Sequence, residues 1–183
     1  MTQPASKKEI QGYVKMAIEG DVEAFGILYN TFVNQIFRYV FYQINDRMKA
    51  EDITQEVFIK SWKSIQTCRG KEDTFSAWLY RIAHNQTVDT IRKSKPEISL
   101  ELIDPVGNAN PETEAEKAQE WQKTAAALKN LPEPQRQLII LKFLEGAEND
   151  EIGAVMGKRQ GAIRALQMRA LDNLRKKLSG GTE

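Results

Sequence analysis

"AEDITQEVFIKSWKSI", residues 50–65, is the stretch on which the fold reading turns. At about 100° per residue, Ala50, Ile53, Val57, Phe58, Ser61, Trp62 and Ile65 cover roughly half of a helix. Such a broad face belongs to the core of a bundle. The opposite arc holds Asp52, Gln55, Glu56, Ile59, Lys60 and Lys63. An apolar side chain therefore sits in the middle of a charged face. One reading is a solvated surface, with Glu56–Lys60 as an i,i+4 pair worth a few tenths of a kcal/mol; lone exposed isoleucines are common. The other is a docking surface, because an apolar centre ringed by polar groups is what such surfaces present. Spacing alone leaves both open.

Outward from this helix the apolar period stays helical, with no alternating strand pattern. The spacing predicts helices near 7–19, 21–44, 75–93, 113–130, 134–144, 149–156 and 160–178, besides 47–65. Asp21 and Thr74 suit N-caps, Pro134 a first helical turn, and Gly146 and Gly157 helix ends. Thirteen of the 15 aromatic residues precede residue 94; only Trp121 and Phe143 follow, which suggests two separate cores. The expected fold is all-α, with two small helical domains. An N-terminal helical bundle (1–94) is joined by an acidic flexible linker (95–112) to a C-terminal helix-turn-helix four-helix unit (113–183). The stretch "SKPEISLELIDPVGNANPETEAE" is too polar to fold alone.

Charge sharpens this division. The 183 residues carry 26 basic and 25 acidic side chains, so the total names no partner. Residues 94–120, however, hold 2 basic and 7 acidic groups, whereas residues 153–178 hold 7 basic groups against the single Asp172. A basic stripe on one helix is an electrostatic footprint for nucleic acid. One cysteine, Cys68, excludes a disulfide framework and leaves a metal site short of ligands. No metal, cofactor or catalytic residue is predicted. The chain shows no Gly-rich phosphate loop, and with one His and one Cys nucleophile–base pairs are scarce. The N-terminus lacks the apolar core of a signal peptide. No run approaches the roughly 18 apolar residues of a membrane span. The expectation is a cytoplasmic protein without membrane insertion.

On the helix at 75–93, Phe75, Leu79, Ile82 and Ala83 form the core arc, and Trp78, Arg81, Asn85, Asp89 and Arg92 share the adjoining one. That second arc can be a core edge with a surface ladder of hydrogen bonds. It can also serve an opened duplex. An aromatic ring or an Arg plane replaces lost base stacking at about 1–3 kcal/mol per base, and an Asn amide offers donor and acceptor to an extruded base. The polar loop before it, "QTCRGKEDT", contains Arg69, Gly70 and Lys71 and suits one wall of a base pocket. Asp89 orients its Arg and Asn neighbours. His84 points away from this arc and reads as structural, and Cys68 as an incidental thiol.

The C-terminal "ENDEIGAVMGKRQGAIRALQMRALDNLRKKL" has two apolar-stripe helices around a glycine-containing turn. Ile152, Val155 and Met156 should pack on Ile163, Leu166 and Ala170, with Leu174 and Leu178 also inward. A structural hairpin with solvated cations is one reading; seven bases against one acid favour DNA. In helix-turn-helix geometry the start of the second helix enters the major groove. Lys158, Arg159, Gln160, Arg164, Ala165 and Met168 are then the base readers, since Arg pairs with guanine and Met or Ala meets a thymine methyl. Arg169, with Arg175 and Lys176, suits phosphate.

These motifs resemble, in order and spacing, the extracytoplasmic-function (ECF) sigma factors of bacterial RNA polymerase, of the sigma-70 family. "AEDITQEVFIKSWKSI" is similar to region 2.2, "TFSAWLYRIAHNQTVDTIRK" to regions 2.3–2.4, and "LPEPQRQLIILKFLEGAENDEIGAVMGKRQGAIRALQMRALDNL" to region 4. Together they span roughly residues 20–95 and 113–178. The resemblance implies a promoter-specificity subunit. Asp52, Gln55, Glu56, Ile59 and Lys63 would face the clamp helices of the largest polymerase subunit. Arg69, Lys71, Trp78, Arg81, Asn85 and Arg92 would recognise and melt the −10 element. Lys158, Arg159, Gln160, Arg164, Ala165, Met168 and Arg169 would take the −35 element, with region 4 also meeting the polymerase flap. It further implies that the linker threads the RNA channel and that an anti-sigma factor holds the protein inactive.

Departures from the pattern are specific. Glu148 and Arg159 stand where relatives have Ser or Thr caps, and Ala162 and Ala165 where many have Thr and Ser. Gly153 replaces a usual Ala, with the expectation of a looser first helix. The alternative function is a helix-turn-helix transcriptional activator with a partner- or ligand-sensing N-terminal domain. It leaves residues 50–65 and 75–93 unexplained together.

Overall fold

The structure is a computed structural model that describes residues 6–93 and 121–179. The predicted linker and the start of the predicted helix at 113–130 lie outside the described residues. Every regular element described is helical, as the period implies.

The first four helices form the bundle. α1 (Lys7–Ile18) begins in a capping box, in which Ser6 and Glu9 satisfy each other's backbone N–H. α2 (Val22–Ile44) starts at Asp21, whose carboxylate accepts from the Ala24 N–H at 3.0 Å. It stops at Asn45, left-handed at φ 50, a conformation Asn tolerates better than most residues. α3 (Arg47–Ser64) starts at Asp46, which accepts from the Lys49 N–H. Two 3₁₀ turns, Ile65–Cys68 and Glu72–Thr74, carry the chain into α4 (Phe75–Lys93). Thr74 does not cap α4 as predicted. It closes the preceding 3₁₀ turn, and its hydroxyl donates to the Lys71 carbonyl at 2.9 Å.

The C-terminal unit comprises the helical residues 121–129 (α5), α6 (Glu133–Ile139), α7 (Asn149–Met156) and α8 (Gln160–Ser179). Pro134 sits in the first turn of α6, where its missing N–H costs nothing. A π turn over Ile140–Leu144 extends α6. Gly157 takes φ 63 and lets the chain turn from α7 into α8.

The expected burial on α3 is observed, and Thr54 joins it by bonding back to the Ala50 carbonyl. Trp62 is half-buried, tilted against Phe25 at 4.9 Å. On α4, Phe75, Leu79 and Ala83 are buried as expected, and Ile82 is half-buried. In the C-terminal unit Ile152, Val155, Ile163, Leu166 and Ala170 are buried, while Met156 and Leu174 are half-buried. Leu178, expected inward, is 52% exposed. α8 runs about 30 Å, and its last turn, residues 175–178, is exposed.

The prediction of two separate cores fails. The buried side chains form one continuous cluster from Val14 to Ala170. Trp121, a rare late aromatic, explains part of this. Its ring lies against Tyr42 at 4.9 Å and Phe41 at 6.3 Å, and its Nε1 donates to Asn45 Oδ1 at 3.1 Å. An indole buries a large apolar area and still needs one hydrogen-bond acceptor; the bundle supplies both.

Candidate functional site

The α3 face is open. Asp52, Gln55, Glu56, Ile59 and Lys63 are all exposed, and Ile59 is 54% exposed at their centre. The helix earns this geometry from its other side, where Ala50, Val57 and Ser61 are fully buried and fix its rotation. Glu56 and Lys60, expected as a direct pair, are joined instead through Gln86 of α4. The Gln86 Nε2 donates to Glu56 Oε2 at 2.7 Å, and Lys60 Nζ donates to Gln86 Oε1. Gln86 escaped the sequence reading, although the signal was there. It falls on the apolar arc of α4, three residues after Ala83, and a buried amide must find partners.

On α4, Arg81, Asn85, Asp89 and Arg92 are exposed, and Trp78 is half-buried against Phe75 at 5.6 Å. The preceding loop keeps Arg69 and Lys71 at the surface. Gly70, at φ 75, gives its N–H to Glu72 Oε1 at 2.9 Å, which tightens the loop. Together loop and helix enclose a cavity of about 210 Å³ lined by Thr67, Cys68, Lys71, Thr74, Trp78 and Arg81. Its wall mixes hydroxyls, two cations and an indole, a set suited to a planar polar ring beside a phosphate. Cys68 is 2% exposed. Burial pushes its thiol up to about 11, with Glu72 adding to the rise. It stays protonated at neutral pH and is a poor nucleophile.

Arg81 does not project freely. Its Nε donates to the Ala154 carbonyl at 3.1 Å and the Val155 carbonyl at 3.3 Å, and its terminal nitrogen also reaches Ala154. These are unsatisfied carbonyls at the C-terminal end of α7, where a cation is favoured by the helix dipole. His84, read as structural, occupies the same junction. Its Nδ1 lies 3.3 Å from the Tyr39 hydroxyl and its Nε2 3.0 Å from Glu133 Oε1. Tyr39 in turn accepts from Gln137 Nε2 at 3.2 Å. Burial lowers the His84 pKa, with Arg136 acting the same way and Glu133 opposing. The Glu133 contact is a distance without hydrogen-bond geometry, and Glu133 Oε1 is buried with no hydrogen-bond partner. Sequence reasoning missed this junction because its members lie on α2, α4 and α6, far apart in the chain.

The helix-turn-helix unit presents its basic surface outward. Lys158, Arg159, Gln160, Arg164, Ala165, Met168 and Arg169 are all exposed, Met168 by 74%. Gln160 Nε2 donates to Asp150 Oδ1, which ties the turn to α7. Arg169 Nε donates to the Ala165 carbonyl at 3.3 Å. Asp172, the one acid of the stripe, pairs with Lys176 at 2.8 Å, and both side chains stay exposed. The missing Ser or Thr at Glu148 is offset by Glu151, whose carboxylate accepts from the Glu148 N–H at 2.9 Å. Gly153 does not loosen α7. It is buried, and a Cβ there would lie 2.8 Å from the Lys158 carbonyl oxygen. The glycine admits a closer turn than alanine would.

An apolar-centred face on α3, a cation-and-indole arc on α4 and a basic helix-turn-helix thus lie on one chain. Residues 28–97 match the Sigma-70 region 2 family and residues 127–176 the Sigma-70, region 4 family. The chain belongs to the sigma-70 family of RNA polymerase sigma factors, in its ECF branch. The activator alternative is not favoured. The ECF sigma factor BldN of Streptomyces coelicolor is 32% identical over 167 residues, covering 88% of this chain; the chain spans only 62% of BldN. The ECF sigma factor SigW of Bacillus subtilis is 29% identical over 181 residues, covering 92% of this chain and 96% of SigW. The fold resembles that of CnrH, solved in complex with the cytosolic domain of CnrY. Its TM-score is 0.70 at 23% identity, with 93% of this chain and 97% of that one covered.

Proposed function

We propose that the exposed face of α3 docks on the clamp helices of core RNA polymerase, with Ile59 as the apolar anchor and Asp52, Gln55, Glu56 and Lys63 around it. The observation that carries this is Ile59 itself, 54% exposed on a helix whose opposite side is sealed in the core. A small desolvated anchor supplies binding energy, while the charged ring supplies orientation and on-rate. The test is Ile59→Asp. Core binding in a pull-down should be lost while the helical CD signal is retained; unchanged binding refutes the assignment.

The arc of Trp78, Arg81, Asn85 and Arg92, with Arg69 and Lys71, takes the −10 element. Its support is the cavity between loop and helix, which has room for a flipped base, and the Trp78 ring beside it. The start of α8 reads the −35 element through Lys158, Arg159, Gln160, Arg164, Ala165 and Met168, with Arg169 at phosphate or the flap. In this division residues 1–94 form the core-binding and melting domain, 95–112 the linker and 113–183 the −35 domain. No covalent chemistry is assigned to any of them. None of the described helices is long and apolar enough to cross a membrane. In this reading the chain works in the cytoplasm, where an anti-sigma factor that covers the same faces would hold it inactive.

A further inference from the structure

We infer that Gln86 is a positioning residue for polymerase docking: its amide holds Glu56 and Lys60 in fixed rotamers on the α3 face. Gln86 belongs to the helix that carries the DNA arc, yet it points the other way, into α3, and is only 7% exposed. The amide is polar at both ends and differently so. Its nitrogen gives a hydrogen to Glu56 Oε2 at 2.7 Å, and its oxygen takes one from Lys60 Nζ. An amide in this orientation satisfies an acid on one side and a base on the other. An apolar residue would release both, and an acid or a base would repel one of them.

The consequence lies at the surface. Glu56 and Lys60 flank Ile59 in the chain and are exposed. Long exposed side chains are normally mobile, and freezing them on binding opposes association. Here the freezing is done in advance by a buried group. The charges around the anchor are therefore pre-set, and docking does not have to order them. The hydrogen bonds also lock α3 against α4, so the surface that meets polymerase and the helix that meets DNA keep a fixed relation.

This rests on the proposal that Glu56 faces polymerase, and the experiment separates the two. Full-length Gln86→Met, Glu56→Ala and the double variant are titrated against core enzyme, with Tm recorded for each. Gln86→Met should weaken core affinity about tenfold, the loss expected from freeing one or two long side chains. The double variant should bind no more weakly than Glu56→Ala alone. At saturating core, run-off transcription by Gln86→Met should equal that of the parent chain, which a damaged DNA surface would not allow. If Glu56→Ala binds like the parent, the docking face is misplaced. If Glu56→Ala weakens binding but Gln86→Met does not, or the two losses add, the positioning role is overturned. Should Gln86→Met lower Tm, Gln86→Glu serves instead. It keeps the shape and the Lys60 contact but repels Glu56, so its affinity should fall and be partly restored in Q86E/E56Q. Failure of that restoration overturns the inference equally.

Discussion

Arg38 on α2 and Glu145 at the end of the π turn, 107 residues apart, hold each other through two contacts, Nε to Oε1 at 3.2 Å and a terminal nitrogen to Oε2 at 3.0 Å. The Glu145 side chain is 3% exposed and Arg38 28%. This bidentate pair ties the helix-turn-helix unit to the bundle. A buried pair of this kind is costly to break because the surviving charge loses its partner.

Arg38→Leu should therefore cost about 2–3 kcal/mol, less than a fully dry pair because Arg38 keeps some water. Folding already raises the Glu145 pKa, through burial, against the pull of Arg38. Without Arg38 the rise is larger. A raised carboxyl pKa gives stability that is present at low pH and lost as pH rises through it. Urea titrations at pH 7 and pH 5 should show the variant regaining part of its loss at the lower pH. An equal deficit at both would count against the pair.

His84 predicts the opposite slope. Its folded pKa lies below the ordinary 6.5, chiefly through burial. Its contribution is complete above 6.5 and is lost as pH falls toward the folded value. Glu133 and Arg136 of α6 and Tyr39 of α2 face the ring. Because it is the chain's one histidine, Tm should hold from pH 7.5 to about 6.5 and fall below it, and His84→Gln should flatten that fall.

Gly153→Ala tests the turn. Alanine gains about 1 kcal/mol in helix propensity over glycine. Its Cβ, however, would lie 2.8 Å from the Lys158 carbonyl, and relieving that overlap costs about 1–3 kcal/mol. A net loss of up to about 2 kcal/mol is expected in thermal unfolding. A rise in Tm would show that the turn can yield.

On α8 the two classes of contact should separate. Arg164→Ala should weaken holoenzyme binding to a −35-containing promoter by about 1–3 kcal/mol and relax preference at one base pair. Arg169→Ala should weaken binding evenly across sequences and reduce the salt slope by about one. Filter binding at several salt concentrations distinguishes them.

The helices were legible in the sequence because α3, α4 and α8 each bury a continuous stripe, and their rotation follows from spacing alone. Asp21, Gly146 and Gly157 announced themselves by residue type. Thr74 did not behave as a cap because it ends a 3₁₀ turn whose geometry aims its hydroxyl back at the Lys71 carbonyl. The exposed sets on α3 and α8 were readable for the same reason as the core: whatever is not in the stripe faces out. What stayed hidden was anything built from distant segments. Trp121 against Tyr42, Gln86 under Glu56 and Tyr39 between His84 and Gln137 depend on which helix lies beside which, and a helical period carries no such information.

Arg81 reaches the end of α7 in this arrangement. On the proposed −10 role of Arg81, the Nε and terminal nitrogen that hold α7 would have to let go before that edge of the guanidinium could reach a phosphate. Clasping the two halves and engaging a strand then draw on the same donors, and a promoter would compete with α7 for that cation.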